Sequence, residues 1–533
     1  MPAAAARRAA TARTLVEVGV LRPQRPDRML LAALRLLRWR TTQAAAVAVG
    51  AARHPDRAAV VDERGTCSFR ELHERTNALA RGFAATGLSA GEAIGILCRN
   101  HQGMVEAMLA AGKLGLHVIF LNTMFAGPQL AAACEREGVR ALVHDEEFGA
   151  LVASAAAGLP TILAWSEAGA EGATLDRLVA EHDRGELAPP AREGRLVILT
   201  SGTTGSPKGA ARRQPASLDP VATFLEAIPL RAREVTVVAA PLFHSWGLLT
   251  FSMGLAIGST QVLRRRFDPE ATLADVAAHR AAGLVVVPLM LQRMLELPSA
   301  TLEAYDVSSL RVVAASGSAL PGDLALRVMD RFGDVLHNFY GSTEVAWVSV
   351  AAPADLRAAP GTSGRPPRGT VLRLVDDDGK EVAPGTTGRI FVGNDMLSDG
   401  YTDGGGKESL DGLLATGDVG HLDEAGRLFV DGRDDDMIVS GGENVFPREV
   451  EDLLADHPKV ADVGVVGVTD AKWGQRLRAV VVLAPGQDAD EAELQAHVRE
   501  HLAGFKVPRE IIFADELPRN ATGKIVAREL PGA

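Results

Sequence analysis

Between Thr200 and Gly209 the chain reads Thr200-Ser201-Gly202-Thr203-Thr204-Gly205-Ser206-Pro207-Lys208-Gly209. Hydroxyl side chains donate to anionic oxygens, and glycines let successive backbone N–H groups turn toward a ligand. Lys208 adds a compact positive charge suited to a phosphate. The apolar run Leu196-Val197-Ile198-Leu199 just before it reads as a buried strand. A solvated Ser/Thr/Gly linker has a similar composition, but the strand in front and the Pro-Lys-Gly behind argue for a polyphosphate cradle. It is not a Walker loop, which needs Gly-Lys followed by Ser or Thr. Here Lys208 stands between Pro207 and Gly209.

Five further stretches carry residue types able to do chemistry. Asn338-Phe339-Tyr340-Gly341-Ser342-Thr343-Glu344 offers an aromatic face for a base and a carboxylate for Mg²⁺. Thr416-Gly417-Asp418 offers a carboxylate that can accept from two hydroxyls together. Leu517 to Ile525 contains Gly523-Lys524, Phe243 to Gly247 contains His244 and Trp246, and Gly441-Gly442-Glu443-Asn444 could line a narrow passage. Taken singly, each has an ordinary reading as a turn, a core aromatic or a surface lysine.

Taken in order they resemble the adenylate-forming superfamily: acyl- and aryl-CoA ligases, peptide-synthetase adenylation domains and firefly-type luciferases. The resemblance spans about residues 46–530. It implies that Thr200, Ser201, Gly202, Thr203, Thr204, Gly205 and Lys208 cradle the phosphates, with Lys208 also catalytic. It puts Tyr340 on adenine, Asn338 at the exocyclic amine, and Gly341, Ser342 and Ser318 along the nucleotide. Thr343 would meet the α-phosphate, Asp418 the ribose hydroxyls, and Arg433 the ribose or a phosphate. Glu344 and Thr200 would hold Mg²⁺. Lys524 would be the catalytic cation between carboxylate and α-phosphate, where charge develops in the transition state. Phe243, His244, Trp246 and Gly317 would form the acyl pocket, with His244 beside the reacting carbonyl. Ser316-Gly317-Ser318 departs from the family's commoner Gly-Gly-Ala run. Gly441, Gly442 and Glu443 would line a CoA tunnel, and Asp435 would be the hinge, with Asp434 and Asp436 as solvated linker.

The implied activity is ATP-dependent activation of a carboxylic acid through an acyl-adenylate, then thioester formation, with ATP, Mg²⁺ and CoA consumed or used. The basic front and apolar pocket tilt the acid toward a medium- or long-chain fatty acid. A carrier-protein thiol as acceptor, an oxidative use of the adenylate, and a non-catalytic nucleotide-binding scaffold are the alternatives.

Alternating helices and apolar strands from residue 46 onward predict an α/β fold. The expected fold has a large multi-subdomain N-terminal domain with mainly parallel sheets and a small mobile α+β C-terminal domain. The boundaries read 1–45 for a basic amphipathic extension, 46–432, a hinge at 433–436, and 437–533. A net charge of −11 speaks against nucleic acid as partner, and three scattered cysteines suggest a reducing, cytoplasmic setting.

Residues 1–45 differ from the rest, with nine arginines against Glu17 and Asp27. On a helical wheel Arg28, Arg35 and Arg38 share one side and Met29, Leu30, Ala33, Leu34, Leu36 and Leu37 spread over the other. Two readings follow: a helix packed on the body with its arginines in water, or a helix lying peripherally on an anionic membrane.

Overall fold

The computed structural model describes residues 2–40, 42–167, 172–200, 208–212, 217–398, 400–402, 404–434, 438–440, 443–470, 474–502, 504–520 and 523–531. Among them the strands form four sheets. The first orders Thr161–Trp165, Val139–Asp145, Ala93–Leu97, His117–Phe120, Leu196–Thr200 and Lys208–Arg212, parallel throughout except for the last pair. The second is parallel from Leu336–Tyr340 through Val312–Ala315, Gly283–Val286, Val235–Val238 and Thr260–Leu263 to Ala58–Asp62. Antiparallel strands close both of its edges.

Parallel strands must be covered on both faces, and these are. Ile94 and Ile96 point into a core shared with the second sheet through the helices Phe69–Ala85 and Gln102–Leu114. Their neighbours Ala93 and Leu97 point the other way, onto Leu130, Val152 and Phe148. The alternation follows from the period-two geometry of a strand. A third, antiparallel sheet runs Val371–Val375, Gly388–Gly393, Leu413–Leu422 with Ser409–Leu410 and Leu428–Arg433 flanking the last. The C-terminal sheet joins Val460–Asp470, Gly474–Leu483 and Glu510–Phe513 and has its own core, including Val450, Leu454, Leu477, Ala479, Leu494 and Val498.

Three helices open the chain: α1 (Pro2–Glu17), α2 (Pro26–Trp39) and α3 (Gln43–Arg53). The expectation that α2 packs with its arginines in water is overturned. Arg35 Nη1 donates to the Ala48 carbonyl at 2.8 Å and Arg38 Nη2 to that of Leu187 at 2.8 Å. Only Ala32 and Trp39 of α2 are buried, and its leucines face outward. The small side chains of α3 explain this: Trp39 packs on Ala44, Ala45 and Ala48, and the close approach puts guanidinium groups within reach of backbone carbonyls.

Candidate active site

The site begins at the carboxyl ends of two neighbouring parallel strands, where open α/β sheets receive ligands. Ala315 pairs with Asn338, so the loops that follow, Ser316–Leu320 and Gly341–Glu344, leave the sheet side by side. Gly317 takes φ +99°, a conformation that side chains rarely adopt. A Cβ on Gly341 would lie 2.0 Å from the Ala346 carbonyl oxygen, so that turn admits only glycine. The third sheet contributes Asp418, paired across the ladder with Arg433.

These groups meet. Tyr340 Oη donates to Asp418 Oδ2 at 2.5 Å, and Arg433 Nη1 donates to Asp418 Oδ1 at 3.3 Å. Burial and the adjacent carboxylate push the Tyr340 phenol well above its ordinary range, so it stays protonated. The Asp418 backbone N–H donates to Thr416 Oγ1 at 3.0 Å, which sets the carboxylate's direction. Asn338 Nδ2 donates to the Thr362 carbonyl at 3.3 Å.

Glu344 is buried, and its two oxygens accept from Ser342 Oγ at 2.9 Å and from the Tyr401 hydroxyl at 2.8 Å. Among the described residues no arginine or lysine pairs with it. A buried carboxylate with hydroxyl donors but no cation fits a Mg²⁺ site, since it retains acceptor capacity and an uncompensated charge. Tyr401 also bridges Ala210, in the strand that leaves the phosphate loop. That bridge ties Glu344 to the loop's base. Thr200 and Lys208 pair across the antiparallel ladder as the two ends of that loop. Ser201, Gly202, Thr203, Thr204 and Gly205 lie outside the described residues, as do Asp435, Gly441 and Gly442. The backbone of Glu443 is in the strand Glu443–Val445.

The C-terminal sheet supplies the opposite wall. Asn520 Oδ1 accepts from the Lys524 backbone N–H at 3.0 Å, and the Asn520 N–H donates to the Lys524 carbonyl at 2.9 Å. Arg519 braces this turn by donating to the Gly523 carbonyl while its Nη2 donates to both oxygens of Asp462, at 2.6 and 2.7 Å. Gly523, at φ +79°, packs against Leu289 of the large domain. Lys524 therefore lines the same cleft, of about 650 Å³, as Ser316, Gly317, Ser318, Asn338, Tyr340, Gly341, Asp418 and Arg433.

Phe243, His244 and Trp246 do not line that cleft. Trp246 is core: its indole N–H donates to the Val286 carbonyl at 2.9 Å and its ring packs 4.9 Å from Phe339, which in turn faces Phe224. Phe243 is buried, with its ring 4.6 Å from His244. His244 Nε2 is buried and has no hydrogen-bond partner among the described residues, and burial lowers its pKa to about 4. Thr343 Oγ1 lies 3.4 Å from Ser245 Oγ, next to His244, so the segment Gly341–Glu344 adjoins the start of the helix Ser245–Ala256.

Comparison with known proteins agrees with this geometry. The AMP-binding enzyme family matches residues 45–402, and the AMP-binding enzyme C-terminal domain matches residues 449–524. The chain belongs to the adenylate-forming enzymes. The indoleacetate–CoA ligase of Aromatoleum aromaticum is 34% identical over 485 residues, covering 88% of this chain and 94% of that protein. A feruloyl-CoA synthase of Amycolatopsis is 35% identical, covering 90% and 96%. The o-succinylbenzoate CoA synthetase of Bacillus subtilis, solved with its acyl-adenylate intermediate, superposes with a TM-score of 0.80 at 28% identity, over 92% of this chain and 98% of that one.

For an adenylate-forming enzyme the sequence reading missed Tyr401, Asp462 and the latch at Asp434. Asp434, expected to be solvated linker, is held by Arg389 Nε at 3.0 Å and through its own N–H by the Gly417 carbonyl at 3.0 Å. Each partner is distant in sequence, and nothing in the local motif pointed to it.

Proposed function

We propose that this adenylate-forming enzyme is an AMP-forming acid–thiol ligase that activates an aryl or aryl-alkyl carboxylic acid and passes it to CoA. The single observation that carries the reading is Lys524 lining one cleft with Tyr340 and Asp418, although it stands in a separate turn braced on Asp462 of the C-terminal sheet through Arg519. A carboxylate oxygen attacks the α-phosphorus of ATP and pyrophosphate leaves; the CoA thiolate then attacks the acyl carbon and AMP leaves.

In this reading Tyr340 offers its ring to adenine and Asn338 its amide to the exocyclic amine. Asp418 accepts from the ribose hydroxyls, with Arg433 beside it. Thr343 donates to the α-phosphate, and Gly341, Ser342 and Ser318 border the nucleotide. The loop from Thr200 to Lys208 takes the outer phosphates. Glu344, with Thr200, would hold Mg²⁺, which neutralises phosphate charge when bound. Lys524 stabilises charge gathering at the α-phosphate. His244, neutral above about pH 4, can meet the acyl carbonyl without adding charge. Gly441, Gly442 and Glu443 are assigned to the pantetheine passage.

The aryl preference is supported by the relatives named for indoleacetate, ferulate and succinylbenzoate. It replaces the fatty-acid tilt of the sequence, which rested on the basic front and the apolar pocket. Three free buried cysteines suit a cytoplasmic station. The test is a screen of aryl, aryl-alkyl and fatty acids for AMP release with ATP and CoA. Release with aryl acids, dependent on CoA, is expected. Turnover confined to fatty acids would overturn the substrate class. Release only with a carrier protein would move the acceptor, and no release with any acid would leave a scaffold.

A further inference from the structure

Helix α2 carries its amphipathic pattern inside out. On a 3.6-residue period Leu30, Leu34 and Leu37 share one side, and Ala32, Arg35 and Trp39 the other. The side with Ala32 and Trp39 is the buried one. Leu30, Leu34 and Leu37 are 64%, 55% and 79% exposed. Six of the twelve exposed large apolar side chains among the described residues lie on this one helix, so they form a patch rather than a scatter. The helix needs none of them for docking. Its inward arginines hold it: Arg28 donates to the Arg53 carbonyl at 3.5 Å, Arg35 to Ala48 and Glu186, and Arg38 to Leu187.

Charge identifies what covers the patch. Residues 1–40 hold nine arginines and two acidic residues, a net +7 in a chain whose formal charge is −11. Exposed Arg22 and Arg25 precede the leucines, Arg25 beside Asp27, and exposed Arg40 follows them. A second copy of the chain would set one such positive face against another. An anionic lipid surface complements both the charge and the leucines. No helix among the described residues is long and apolar enough to cross a membrane.

We propose that α2 docks this enzyme on anionic bilayers, with Leu30, Leu34 and Leu37 in the interfacial layer and the arginines at its two ends against lipid phosphates. The docking is peripheral and independent of which acid the enzyme activates. It also reverses the orientation a packed helix would have: the arginines nearest the helix centre stay with the protein, and the leucines meet the lipid.

The test is co-sedimentation of the full chain with unilamellar vesicles of equimolar phosphatidylglycerol and phosphatidylcholine, or of phosphatidylcholine alone. The wild type should pellet with the anionic vesicles, less with the neutral ones, and less as salt rises. Leu30→Gln/Leu34→Gln/Leu37→Gln should lower the partition coefficient by on the order of 10- to 100-fold. Because all three side chains are exposed, its thermal midpoint should not move. Arg22→Gln/Arg40→Gln should weaken anionic binding by roughly fivefold per charge. A wild type that stays in the supernatant, or a leucine variant that pellets as well as wild type, overturns the proposal. So does a wild-type dimer that the leucine variant converts to monomer without any vesicle binding, because the face then meets a second copy.

Discussion

The two walls of the cleft are held in different ways. On the large-domain wall, Tyr340 and Asp418 are set by sheet register and by hydrogen bonds within a buried or half-buried shell. On the other wall, Lys524 is exposed, and its turn is braced by the Arg519–Asp462 pair, itself about a quarter exposed. This wall meets the large domain at Gly523 against Leu289, at Gln292 Nε2, 3.5 Å from the Ala461 carbonyl, and where the helix Pro447–Ala455 lies beside the strand Leu428–Arg433. In the proposed function Lys524 and the Gly441-Gly442 loop serve one acyl group in turn, so it is this wall that has to move.

The comparison breaks most visibly at Lys524. Lys524→Ala should cut carboxylate-dependent ATP–pyrophosphate exchange by about 100- to 1,000-fold while ATP affinity changes little, because the cation acts on charge absent from the ground state. Exchange near the wild-type rate would remove Lys524 from the chemistry.

That movement is tested next. Asp434 belongs to the large domain through Arg389 and Gly417, so a pivot one residue on, at Asp435, can turn without loosening the large-domain wall. Asp435→Pro, which fixes φ near −65°, should leave adenylation intact and sharply slow transfer from preformed acyl-AMP to CoA. Equal loss in both steps would argue for a general defect.

A smaller effect is expected from Asp462→Asn, which leaves Arg519 without its carboxylate. The Lys524 turn should loosen, lowering kcat for adenylation by roughly 10- to 150-fold, the range for a hydrogen bond to a charged group, with KM for ATP unchanged. A change in KM alone would make Asp462 part of nucleotide binding. On the large-domain wall, Tyr340→Phe keeps the ring and loses only the bond to Asp418. KM for ATP should rise by roughly 10-fold, the low end for one hydrogen bond to a charged group, and kcat should hold.

The smallest signal concerns pH. His244 has its folded pKa lowered to about 4 by burial, against an ordinary value of 6.5. Between those values the unfolded chain binds a proton that the folded site refuses, so this residue's contribution to stability is complete above about pH 6.5 and is lost as pH falls toward 4. Adenylation should show no break near pH 6.5 from this group. An acid limb with its midpoint there, abolished in His244→Asn, would mean that the imidazole is charged during turnover.

How much of this was readable in advance differs from residue to residue. The strand Leu196–Thr200 begins where the apolar run put it. Tyr340, Asp418 and Lys524, far apart in the chain, were expected at one site from the family resemblance that their ordered motifs carry, and they line one cleft. Local pattern suffices there because a motif's spacing sets its own turn, and a run of apolar residues must be buried wherever it falls.

What sequence could not determine was each outcome that depended on a distant partner. Asp462 stands 57 residues from Arg519, and Tyr401 stands 57 residues from Glu344. The clearest case is α2. Its alternation of arginine and leucine established that a helix would form with two unlike faces, but not which face would turn inward. Packing decided that, because the small side chains of α3 bring α2 close enough for guanidinium groups to reach backbone carbonyls, a bond the leucines could not make. A periodic pattern states that two faces differ; only the neighbouring surface, through its shape and the acceptors it presents, selects between them.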